Sequence, residues 1–92
     1  MYTITIIIET KPEHIKRLKS IIIRATELAK EEKDCVRYYS HQKINNHCQY
    51  IIYETWLNQS SFLKQTKKPE VIALSEEFKK LLKHPPQVDY FR

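Results

Sequence analysis

Glycine is absent from all 92 residues of this chain. That removes the phosphate-cradling loops of nucleotide-binding proteins, since the P-loop and the dinucleotide fingerprint both need glycine where backbone closes on phosphate. It also leaves every turn to residues that carry a side chain. Cysteine occurs only twice, without metal-site spacing, so plain strand residues are expected rather than ligands or reactive thiols. Long apolar runs are missing too: stretches such as Ile21-Ile22-Ile23 are far shorter than the ~20 residues a bilayer-crossing helix needs. The first residues show no basic segment followed by an apolar one, so no signal peptide and a cytoplasmic location are expected.

Charge is the one apparent excess. Sixteen Lys and Arg against eleven Asp and Glu leave +5 at neutral pH, which raises the question of a polyanionic partner. The basic residues are scattered among acidic neighbours, however, and the only local cluster is Lys64, Lys67 and Lys68. Without interleaved glycine-rich or aromatic loops this reads as solvated helix surface, so neither nucleic acid nor membrane is an expected partner. The length suits one domain, residues 1–92, with one core. A domain this small hides only about 60–65% of its unfolded surface, so association with a second copy would help it.

What is present is strongly patterned. Tyr2 to Glu9 is β-branched or aromatic almost throughout and predicts a strand, with Ile4, Ile6 and Ile8 on one face and Ile7 on the other. Lys11-Pro12-Glu13 opens a helix running to about Lys33, whose buried stripe is Ile15, Leu18, Ile22, Ala25 and Ala29. Cys35 to Lys43 and Cys48 to Trp56 predict two strands around a turn at Asn45-Asn46, because asparagine tolerates positive φ. Paired residue numbers in that hairpin sum to 91. Cys35 then faces Trp56, Arg37 faces Glu54, Tyr39 faces Ile52 and His41 faces Tyr50. The opposite charges of Arg37 and Glu54 favour this register. It sets the two cysteines about 16 Å apart along the ladder, too far for a disulfide.

Asn58 or Ser60 caps a short helix to about Gln65, and Pro69-Glu70 begins a longer one with the stripe Val71, Leu74, Phe78 and Leu81. Pro85-Pro86 ends it, and Gln87 to Phe91 forms a last strand. Strand, helix, strand, strand, helix, strand is the order of an α+β, ferredoxin-like split βαβ sandwich with a four-stranded antiparallel sheet. The helices cover one sheet face. The other stays partly apolar, and a second copy of the chain is its simplest cover, giving a homodimer.

Several residues stand out as candidates. Trp56 ends a strand, as a core plug or as the wall of a pocket whose indole N–H holds a substrate oxygen. His41 and Tyr50, opposed in the expected register, form a pair able to take a proton. Tyr39 and Phe62 supply further aromatic walls, with core packing as the alternative. Arg37 and Glu54 read as a cross-strand structural pair rather than an acid–base set. No histidines have metal-ligand spacing, so no metal is expected. Ser40, Ser60, Ser61 and Ser75 have no evident base, so hydrolase chemistry is not expected.

At this level the chain resembles the antibiotic biosynthesis monooxygenase (ABM) family of dimeric α+β barrels. The resemblance is carried by Asp34-Cys35-Val36-Arg37-Tyr38, where the family often has Gly-Cys-x-x-Tyr. It continues through Tyr53-Glu54-Thr55-Trp56, the Lys68-Pro69 step and Pro85-Pro86-Gln87-Val88. It implies a cofactor-independent monooxygenase of a quinol-like or other small aromatic molecule. Trp56, Tyr39 and Phe62 would hold the ring, and His41 or Tyr50 would manage the proton. The family also includes haem-degrading enzymes and an isomerase. Where its members often carry histidines in a His-x-x-x-Pro-His pattern, this chain has Gln65 and Glu70 around Pro69, and no histidine lies between Pro69 and Lys83. Haem binding is therefore not expected, no cofactor is implied, and a non-catalytic ligand-binding or interaction module is the alternative.

Overall fold

The computed structural model describes all 92 residues, Met1–Arg92. Strand β1 (Tyr2–Glu9) passes through a 3-10 turn, Pro12–His14, into helix α1 (Ile15–Lys30). Strands β2 (Cys35–Lys43) and β3 (Asn46–Trp56) form a hairpin. Helices α2 (Gln59–Thr66) and α3 (Pro69–Leu81) follow, and β4 (Gln87–Phe91) closes the order. All neighbouring strands run antiparallel, in the sheet order β2-β3-β1-β4. This is the expected ferredoxin-like α+β arrangement, with all three helices packed on one sheet face.

Local chemistry explains the helix limits. Pro69 takes the first position of α3, and Lys68 before it is extended, as a residue preceding proline prefers. Asn58 caps α2, its side-chain oxygen accepting from the Ser61 N–H at 2.8 Å. Helix α1 ends at Lys30, slightly before the expected limit. The core lies between α1 and the inner sheet face. Ile4 and Ile8 of β1 and Tyr50, Ile52 and Trp56 of β3 meet Leu18, Ile21, Ile22 and Ala29 of α1. Residues two apart along a strand share a face, which is why these isoleucines and aromatics point the same way.

The hairpin departs from the expected register. Cys35 does oppose Trp56, but a bulge at Val36 adds a residue on β2, and from there Arg37 opposes Thr55 and Tyr38 opposes Glu54. Tyr39 pairs with Tyr53 instead of Ile52, and His41 pairs with Ile51 instead of Tyr50. A slip of one residue turns each side chain on β2 to the other sheet face. The expected Arg37–Glu54 pair is thereby broken, and Tyr38 goes inward in place of Tyr39. The turn itself is Ile44-Asn45, flanked by a second irregularity between Gln42 and Lys43. No residue in the chain has positive φ, so the asparagine argument for a turn at Asn45-Asn46 does not apply. The two cysteines are free.

The outer sheet face carries Ile7, Ile51, Tyr53, Tyr39, Arg37, His41 and Phe91 and no covering element. Ile51, Tyr53, Tyr39 and Phe91 are all exposed. No helix is long and apolar enough to cross a membrane.

Candidate functional site

A cavity of about 200 Å³ lies between the inner sheet face and the helices. Its apolar walls include Ile6 and Ile52 from the sheet, Ile22 from α1, Phe62 from α2, and Leu74 and Phe78 from α3. It persists because α3 covers the sheet loosely: Leu81 is its only buried residue, while Val71, Leu74 and Phe78 are half-buried. No lysine, arginine or histidine lines the cavity.

One carboxyl group sits in this apolar wall. Glu54 alternates along β3 with Ile52 and Trp56, so the pleat turns it inward, and only 5% of it is exposed. The Trp56 indole N–H donates to Glu54 Oε1 at 2.7 Å, and the register places no cation opposite it. Burial, partly offset by the indole hydrogen bond, pushes the Glu54 carboxyl up to about 7. A carboxyl poised there exchanges its proton at neutral pH, which is what a general base needs.

Tyr38, directly across from Glu54, also lines the cavity and is 8% exposed. Burial, reinforced by the neighbouring Glu54 charge, raises its phenol well above the usual range, so it remains a protonated donor. Gln65 of α2 lines the same space with 7% exposure. The site thus combines apolar walls with three buried polar groups: a carboxyl, a phenol and a carboxamide.

The residues singled out from the sequence are distributed differently. Phe62 is in the cavity wall. Trp56 is 1% exposed, and its N–H is already engaged by Glu54, so it borders the site from behind as a positioning residue. Its ring also packs edge-on against Phe62, at 6.4 Å between centroids. Tyr39 stands on the outer face, 52% exposed and away from the cavity. His41 and Tyr50 both border a shallow depression at the hairpin end, but their side chains belong to opposite sheet faces. Tyr50 accepts a hydrogen bond from Gln42 Nε2 at 3.1 Å, and burial raises its phenol pKa. Neither residue lines the cavity.

Sequence reasoning passed over Glu54 as an acid–base group, and it named Tyr38 only within the family pattern and Gln65 only as the residue standing where the family often has histidine. For Glu54 a signal existed: it lies two residues from Trp56 and from Ile52, hence on their face whatever the partner strand does. Tyr38 depended on the Val36 bulge, which nothing local announces.

The fold and the inward-facing site define a ferredoxin-like α+β protein with an apolar cavity between sheet and helices. The chain belongs to the antibiotic biosynthesis monooxygenase family, whose model matches residues 1–81. It is similar in structure to a conserved protein from Methanosarcina mazei (TM-score 0.93, 15% identity, 99% of this chain and 90% of the other). A crystal structure of an antibiotic biosynthesis monooxygenase superposes with TM-score 0.93 at 14% identity, covering 100% of this chain and 97% of the other. SnoaB, a cofactor-independent oxygenase from Streptomyces nogalater, superposes with TM-score 0.88 at 12% identity, covering 99% and 90%. No match is found among curated protein sequences.

Proposed function

We propose that the protein is a cofactor-independent monooxygenase of a small, electron-rich aromatic such as a quinol, with Glu54 as general base. One observation carries this reading: a carboxyl titrating near neutrality inside an apolar cavity walled by aromatic and aliphatic side chains. The relatedness to a family that includes cofactor-independent oxygenases supports it. In its ionised form Glu54 accepts the proton of a ring hydroxyl. The resulting phenolate supplies electrons to dioxygen, a ring carbon–oxygen bond forms, and the O–O bond then breaks. One oxygen atom stays on the ring, the other leaves as water, and the substrate, oxidised to a hydroxyquinone, provides all four electrons. Dry walls favour the phenolate's reaction by excluding competing water.

The exposed outer face supports a homodimer in which a second copy covers it. A binding module without turnover is the second reading, favoured by the Trp56 N–H being spent inside the protein and by His41 lying outside the cavity.

Oxygen uptake with a panel of monocyclic hydroquinones is the test. Glu54→Gln, which retains the indole's acceptor, should lower turnover by about 10²–10⁴-fold, the usual worth of a general base, with the fold unchanged by circular dichroism. Turnover equal to wild type in that variant rules out the assigned base. Aromatic binding with no oxygen uptake in wild type leaves the binding module.

A further inference from the structure

Tyr38 and Gln65 present an unfilled requirement. Each is more than nine-tenths buried and lines the cavity, and neither side chain has a hydrogen-bond partner within the protein. Yet no buried side-chain nitrogen or oxygen in the chain is sealed off without a partner. The Tyr38 hydroxyl and the Gln65 carboxamide must therefore open onto accessible space, and for both the space at hand is the cavity. Glu54 adds a third opening: Oε1 takes the indole N–H, while no protein donor reaches Oε2. Polar groups in such surroundings normally find partners, so two side chains without a protein partner and one free carboxylate oxygen, all opening on a single apolar space, describe the complement of a ligand.

Size and charge narrow that ligand. An apolar cavity of about 150 Å³ admits benzene, so about 200 Å³ holds one substituted ring. With no cation in the lining, a carboxylate or phosphate ligand would place its charge beside Glu54 in a low-dielectric space. These features suit a neutral ligand with a single ring in the cavity.

We infer that Gln65 is the specificity-determining residue of this cavity: its carboxamide binds a second ring oxygen on a neutral, single-ring aromatic whose first oxygen meets Glu54 and Tyr38. Glu54 and Tyr38 come from adjacent strands on the cavity floor, and Gln65 comes from a helix, so separate structural elements define the two recognition points. A site with a buried amide awaiting a partner discriminates against an analogue that leaves the amide unpaired. This inference rests on reading the cavity as a small-aromatic site, but it concerns recognition and not turnover.

Anaerobic calorimetric titration separates the two, using methylhydroquinone, p-cresol and benzoate as probes. Methylhydroquinone should bind wild-type protein at least tenfold more tightly than p-cresol, and benzoate should not bind at pH 8. In Gln65→Leu that tenfold preference should shrink to about twofold or less, while p-cresol binding stays within threefold of wild type. Gln65→Met serves the same purpose if the leucine variant fails to fold. Equal affinity of wild type for the two phenols, or a preference that survives both variants, overturns the inference. Selective binding without oxygen uptake keeps it and removes the monooxygenase reading. Oxygen uptake without the preference does the reverse, and no binding of either phenol at millimolar concentration removes both.

Discussion

Glu54 concentrates the chemistry of the chain in one carboxyl, and its environment makes two measurable demands. Its pKa rises from 4.5 to about 7 on folding, so the native state holds a proton that the unfolded chain has already released. Stability attributable to this group is therefore intact below pH 4.5, declines as pH rises from 4.5 to 7, and levels off above. A shift of that size corresponds to about 3 kcal/mol. Urea midpoints at pH 5 and pH 8 should differ more in wild type than in Glu54→Gln; identical pH dependence in the two would refute the buried-carboxyl account. Trp56 supplies the second demand. Its N–H lowers the Glu54 pKa, so Trp56→Phe should move the rising limb of the activity–pH profile upward by a measurable fraction of a pH unit. A lowered rate with an unmoved limb would mean that the indole only fills space.

Helix α3 is held by little burial: of its thirteen residues only Leu81 is buried. Two exposed ion pairs tie it to α1: Arg17 with Glu77, and Arg24 with Glu70, the latter through hydrogen bonds of 2.6 and 2.8 Å. At its C-terminal end Leu81 and Leu82 are buried, and the Lys11 N–H donates to the Leu81 carbonyl. Its N-terminal half has no such anchor, and exposed ion pairs are weak and screened by salt. Amides of residues 72–78 should then exchange with solvent several-fold faster in an Arg17→Gln/Arg24→Gln variant, and in wild type at 1 M salt, while α1 changes less. Exchange of α3 and α1 at one common rate in all samples would show instead that the helices open only together. The same contrast explains what was legible in the sequence. Periodicity located Leu18, Ile22 and Ala29 of α1 because that stripe meets a full core. It placed Val71, Leu74 and Phe78 on one face of α3 but could not tell that they border a void. The register of β2 was legible only at Cys35, because a bulge costs little in an edge strand and leaves no mark in Val36. The Asn45-Asn46 turn failed similarly: asparagine permits positive φ without requiring it.

For the molecule as a whole, the two sheet faces have separate tasks. The inner face builds the cavity, and every sheet residue lining it, from Ile6 to Glu54, points toward the helices. The outer face presents Ile51, Tyr53, Tyr39 and Phe91 to solvent, an apolar group that a monomer of this size has no means to cover. Antiparallel sheets tolerate one wet face when it is polar, and Thr3, Thr5 and Gln49 meet that condition. The isoleucine and tyrosines in the neighbouring rows do not. Wild-type protein should therefore behave as a homodimer by light scattering at about 10 µM, with an interface near the roughly 1,200 Å² or more of stable pairs. Ile51→Glu with Tyr53→Glu, which sets like charges against each other across a twofold interface, should yield monomer. Because no outer-face side chain is needed to build the cavity, that monomer should still bind methylhydroquinone, with affinity reduced only as far as its lower stability loosens the helices. A wild-type monomer from 10 to 300 µM would refute the covered-face argument while leaving the Glu54 cavity untouched.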